Sequence, residues 1–183
     1  MASITIQGNN SILGIVKNIK VKTDNLKERC VEIFCYVGER CVTEARKAGE
    51  YNDITGNLRS SIGYVVLLNG RAYQYGKPKT YRGRQKVKNS KGRLVRSKGD
   101  NGVKEGQAVL DKLAEEFTAK YPKGIVLIVA AGMKYAVYVE EIHNLNVTAS
   151  AELLADELVP RLLLQLGFKK VWYGNENGET HRT

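Results

Sequence analysis

No stretch of this sequence is apolar over the roughly 20 residues that a membrane-spanning helix needs, and its 183 residues include only two histidines, three prolines and three cysteines. Each scarcity removes a class of function. Without a long apolar run, an integral helical membrane protein is excluded. The first residues, MASITIQGNN, have neither the basic start nor the apolar stretch of a secretory signal, so the chain is expected to work in, or at least to be made in, a cytoplasm. The histidines are His143 and His181, and no H-x-x-E or E-x-x-H frame turns the neighbouring Glu140 and Glu141 into a metal-ligand set. Cys30, Cys35 and Cys41 share one helical segment at spacings that suit neither zinc nor a disulfide, which predicts reduced, partly buried thiols. A glycine-rich phosphate loop ending in Lys-Ser/Thr is missing. An Asp-Thr-Gly-like group, Asp53, Thr55 and Gly56, has Ile54 interposed and lacks the second copy that a shared-proton carboxylate dyad requires. The sequence therefore reads as non-enzymatic, with no cofactor. Asp53 and Thr55 are expected to cap backbone amides at a turn, with Gly56 supplying a left-handed conformation.

Acidic residues are missing altogether between positions 77 and 99, where ten cations fall: Lys77, Lys79, Arg82, Arg84, Lys86, Lys88, Lys91, Arg93, Arg96 and Lys98. They carry the whole excess charge, since the other 19 of the 29 basic residues balance 19 acidic ones. Ten charges in this space exceed what solubility needs. An extended arm tracking phosphates, with Tyr81 beside Arg82 and Arg84, is one use, and an acidic surface on a protein partner is another.

Periodicity organises the rest. A short strand at 3–7 stops at Gly8, and Asn10 or Ser11 caps a short helix carrying Ile12, Leu13, Ile15, Val16 and Ile19. Asp24 is expected to cap a separate long helix reaching Ala48, whose stripe of Leu26, Cys30, Ile33, Phe34, Val37, Cys41 and Ala45 faces a core. A hairpin follows, 62–68 and 71–75, turning at Asn69-Gly70. The segments 62–68 and 125–131 are apolar on both faces, so helices or another subunit must cover both sides of the sheet. Residues 107–121 predict another helix. The last helix, about 150–166, is expected to kink or divide at Pro160 and to stop at Gly167-Phe168. The predicted class is α+β: a small antiparallel sheet packed by a long helix of the N-terminal half and a C-terminal helix. One domain spans 1–173, interrupted by a mobile basic loop at 76–106 and an extra helix at 107–123, and 174–183 form a polar tail expected to extend or fray.

Three motifs in order resemble the tail-completion, or head-tail joining, proteins of long-tailed bacteriophages. They are Ile4-x-Ile6-x-Gly8, the run Asp53 and Thr55-Gly56-Asn57-Leu58-Arg59-Ser60-Ser61-Ile62, and Tyr135-Ala136-Val137-Tyr138-Val139-Glu140. The match covers about 1–75 and 124–168. It departs from the family pattern at Ile54, at Glu141-Ile142-His143 where Gly-Thr is usual, and over 76–123. The resemblance implies a non-enzymatic virion component, a homo-oligomeric ring of about six subunits between the neck proteins and the tail tube. Assembly in the host cytoplasm, no membrane, and DNA passing through the lumen belong to the same expectation. The rival expectation is a free nucleic-acid-binding protein whose main site is the 77–99 arm.

Overall fold

The computed structural model describes residues 9–48, 53–136 and 147–169, with the backbone of 173–174 and 180–181. The strand expected at 3–7, Glu140, Glu141, His143, Trp172 and the side chain of His181 lie outside this description.

Helix α1 (Asn9–Ala48) is a single helix of 40 residues, not two. The polar residues that read as a boundary find partners inside it. The Thr23 hydroxyl donates to the Ile19 carbonyl at 2.8 Å, and Asp24 pairs with Lys27 one turn on at 3.6 Å. With no proline to enforce a break, these local bonds let the helix run through. Side chains from Ile15 to Arg29 are exposed, and burial begins at Cys30.

A short helix, α2 (Asn57–Ser61), leads into β1 (Ile62–Leu68), which is joined to β2 (Arg71–Gly76) through Asn69-Gly70. Both turn residues have positive φ, 50° and 68°, the mirror-image turn that Asn-Gly favours. Strand β5 (Ile125–Ala131) pairs along the other edge of β1, so the sheet order is β2-β1-β5, antiparallel throughout. Alternation along β1 sends Ile62, Tyr64 and Val66 into a core with Val37, Cys41 and Ala45 of α1 and with Ala151 and Leu158 of α4 (Ala149–Gln165). Val65 and Leu67 point the opposite way, against Leu110 and Ala114 of α3 (Asp100–Lys120). The chain's own helices thus cover both faces of the sheet.

Helix α3 begins seven residues earlier than its apolar spacing suggested. Gly102 and Gly106, which looked like loop residues, lie against the backbone of Asn57 and Ser61 with no room for a β-carbon, so they serve close helix packing. Helix α4 runs undivided through Pro160. The carbonyl deprived of its donor belongs to Asp156 on an exposed turn, where water can serve it. The helix ends as predicted: Gly167 has φ 94°, the Phe168 amide donates to Leu163 and the Gly167 amide to Leu164. In the tail, β6 (Tyr173–Gly174) pairs with β7 (Thr180–His181), a short ladder where an extended end was expected. All three cysteines are free and buried, and burial pushes the Cys41 thiol up to about 11, far from a nucleophile's range. Among the described residues no helix is long and apolar enough to cross a membrane.

Tyr64 sets the spacing between α1 and the sheet. Its ring is wholly buried and wedged between Gly38 of α1 and Gly76 of β2, and a β-carbon at either glycine would collide with it. Its hydroxyl donates to Glu39 and accepts from Gln74, each at 3.2 Å, while burial pushes the phenol up to about 12. Gly38→Ala should therefore lower the free energy of unfolding by about 1–3 kcal/mol through overpacking. Gly14→Ala, in the exposed part of the same helix with open space around it, should raise it by about 0.5–1 kcal/mol. Urea unfolding of both variants checks the pair, and equal effects would rule out the wedge.

Candidate nucleic-acid interface

The basic segment is an ordered ribbon, not the open loop expected from its composition. Strands β3 (Val87–Lys88) and β4 (Leu94–Val95) pair antiparallel, with Val87 opposite Val95 and Lys88 opposite Leu94. The tip is tied by Asn89, whose side-chain oxygen accepts from the amides of Lys91 and Arg93 at 3.0 and 2.9 Å, while Gly92 turns with φ 70°. At the base, Arg82 bridges Lys98, and Gly83 and Gly99 donate to the carbonyls of Ser97 and Tyr81, both at 2.9 Å. All ten cations expected to meet a partner, Lys77 to Lys98, are exposed, and eight of them, from Arg82 to Lys98, are carried by the ribbon.

Like charges directly opposite one another destabilise a ladder, and Arg82 faces Lys98. The segment contains no acid to offset them, and its two most exposed aliphatic residues, Leu94 and Val95, stand among the cations. A two-stranded ribbon is one of the shapes that a major groove admits, and exposed cations are the groups that meet phosphates.

What holds the ribbon is the segment 53–61. The turn forms as the motif predicts, with Gly56 at φ 83° donating to the Asp53 carbonyl at 3.3 Å. The Thr55 hydroxyl accepts from the Asn57 amide at 3.4 Å, a long bond that is the one side-chain cap at the turn among the described residues. Asp53 departs from its expected role. Its carboxylate does not cap amides but pairs with Arg59, and its second oxygen has no hydrogen-bond partner among the described residues. The physical reason is burial: a carboxylate with a side chain only 1% exposed needs a counter-charge more than it needs an amide. The same guanidinium donates to the Arg82 carbonyl at 2.8 Å, and the Asp53 carbonyl accepts from the Arg84 amide at 3.0 Å. The root of the ribbon is thereby indexed to the turn.

Tyr81 is the ribbon's inward anchor. Its amide donates to the Ser60 hydroxyl at 2.7 Å, and its ring faces two guanidiniums, Arg46 of α1 at 5.1 Å and Arg59 of α2 at 5.3 Å. Arg46 also donates to the Ile62 carbonyl at 2.7 Å, so one residue touches helix, sheet and ribbon. Sequence reasoning noticed Tyr81 but missed Arg46, Arg59 and Ser60 as its partners. The available signal was an arginine between Leu58 and Ser60, six residues after an aspartate. Tyr135 of the third motif stands beside this cluster: burial first and the Asp53 charge second push its phenol above the ordinary range, opposed by a hydrogen bond with Thr55. Among the described residues no group of three or more His, Cys, Asp or Glu could hold a metal.

Arg59→Ala would leave the Asp53 carboxylate buried without a counter-charge, and should cost about 3–5 kcal/mol of stability. The double variant with Asp53→Ala should cost less than the two single effects added together, because the stranded charge is gone. A urea double-mutant cycle reads this directly, and strict additivity would refute the pairing. No family model, curated protein or solved structure matches the chain.

Proposed function

We propose that this chain is a non-enzymatic structural subunit of a tailed-phage virion, a tail-completion or head-tail joining protein. It forms a homo-oligomeric ring at the head-proximal end of the tail tube, between neck and tube proteins. The observation that carries this reading is how the motif segment uses its chemistry. Asp53, Arg59, Ser60 and Ser61 all direct polar groups to the chain itself, Ser61 by donating to the Leu58 carbonyl at 2.8 Å. A segment whose reactive groups are committed to holding a helix, a sheet and a ribbon in register is a joint, and rigid joints suit a subunit that must fit a fixed assembly. In such a ring the basic ribbons face the DNA, and the subunit number multiplies their attraction for phosphates.

A nuclease-treated lysate of the source culture, fractionated on a density gradient and probed with antibody to this chain, tests the reading. Co-migration with intact tailed particles is expected. Retention at the top of the gradient would overturn it.

The ordered ribbon also supports a second reading, a free nucleic-acid-binding protein. That reading requires the isolated chain to bind duplex DNA at physiological salt, with the logarithm of affinity falling linearly as the logarithm of salt rises. Replacing Lys86, Lys88 and Arg93 with alanine should then reduce the slope by about 0.9 for each phosphate that is no longer neutralised. On the virion reading a single copy binds too weakly to measure at that salt.

A further inference from the structure

Among the described residues the first half of α1 is exposed along its length and borders the rest of the chain only at its end, around Leu26. From Gly14 to Arg29 every residue is exposed, about 24 Å of helix at 1.5 Å per residue. Such a length is marginal as a helix in water by itself. It is not polar all round. Ile15 and Ile19 are more than half exposed, and with Lys22 and Leu26 they form one line along the helix at spacings of four, three and four. The line continues into the stripe already buried in the chain, through Cys30, Ile33 and Val37. Where the two meet lies an apolar groove lined by Leu26, Cys30, Phe34, Leu163 and Phe168. Among the described residues an established packing face therefore runs on along the helix into exposed side chains.

The complement is on the outer face of α4. Ala151 and Leu158 turn inward, leaving Leu153, 72% exposed, and Leu164, 50% exposed, on the outside. With Glu157 and Pro160 they make a line of the same four, three, four spacing. Set antiparallel, the two lines match position by position: Ile15 meets Leu164, Ile19 meets Pro160, Lys22 meets Glu157 and Leu26 meets Leu153. The surrounding charges agree. Lys17, Lys20, Lys22, Lys27 and Arg29 outnumber Asp24 and Glu28 on the α1 half, while Glu152, Asp156 and Glu157 outnumber Arg161 on α4. Among the described residues Glu157 pairs with Arg161 at 3.3 Å, a solvent-exposed contact that is readily exchanged. Antiparallel packing of these helices is also what the chain uses internally. The Cys41 thiol of α1 donates to Ala151 at the start of α4, and Ile33 and Tyr36 share a cleft with Leu162 and Leu166 at its end.

We infer that the projecting half of α1 docks antiparallel on the outer face of α4 of a second copy, with Lys22 against Glu157. The α4 inner face already holds the chain's own α1, so that helix cannot also take the outer face, which is open to the α1 of a second copy. The contact is heterologous: each copy presents one exposed α1 half and one exposed α4 face, so the same contact adds the next copy and closes where the rotation permits. This inference rests on the reading of the chain as an assembly subunit, but not on the particle it joins.

The test is sedimentation velocity of the full chain over a range of concentrations. Lys22→Glu and Glu157→Lys each place like charges together and should weaken self-association about tenfold or more, while the double swap should restore it. Both residues exchanged are exposed, and circular dichroism confirms that each variant is folded. Mixing a Lys22→Cys chain with a Glu157→Cys chain under oxidation should give a cross-linked pair faster than either chain alone. A wild-type chain that stays monomeric throughout, single variants that associate normally, or a double swap that fails to rescue would each overturn the interface. If Lys22→Glu blocks incorporation into particles without altering self-association, the stripe serves a different virion protein and the inference fails. Failure here with co-migration on the gradient would leave the virion reading standing.

Discussion

A carboxylate buried to 1% exposure must have its counter-charge delivered, and the delivery of Arg59 to Asp53 organises everything around it. The guanidinium that neutralises Asp53 also binds the ribbon backbone at Arg82 and lies over the Tyr81 ring. Arg46, from the last turn of α1, reaches the same ring and the first carbonyl of β1. Helix, sheet and ribbon are therefore positioned by two guanidiniums and one phenol ring, one contributed by α1, one by α2 and one by the ribbon root. Neither arginine is spent on solvent, although the protein carries a formal charge of +10.

Charge and packing are divided between regions. The sheet interior is mostly aliphatic, and its one fully buried aromatic among the described residues, Tyr64, has its hydroxyl bonded to Glu39 and Gln74. The two sides of β1 form separate clusters, one with α1 and α4 and one with α3. Because β1 is buried along six of its seven residues, it acts as a common wall. The cations are kept outside on a projection that contributes little to either cluster.

How much of this was legible depended on how local each cause was. The Asn69-Gly70 turn, the stop at Gly167 and the two-faced burial of β1 follow from a few adjacent residues, and sequence reading found them. The continuity of α1 was hidden because Thr23 and Asp24 look the same whether they end a helix or bond within it. The start of α3 was hidden because Gly102 and Gly106 are read as loop residues until Asn57 and Ser61, more than 40 positions away, come against them. The ribbon was read as mobile because it holds few apolar residues. Its order comes instead from main-chain bonds to Asp53 and Ser60 and from Tyr81, none of which composition reveals. Of the ribbon and its brace, the cations were visible in the sequence, but the residues that aim them were not.

Among the described residues the ribbon is moored chiefly at its root: Tyr81, the carbonyl of Arg82 and the amide of Arg84 bond to the brace, whereas the tip from Lys86 to Arg96 bonds chiefly to itself. Mutations in the tip are thus insulated from the core, and selection can rewrite its charge, length and aliphatic residues without disturbing the scaffold. A lineage meeting a new partner could change its specificity there first, on an inherited frame whose own sequence is constrained by the brace.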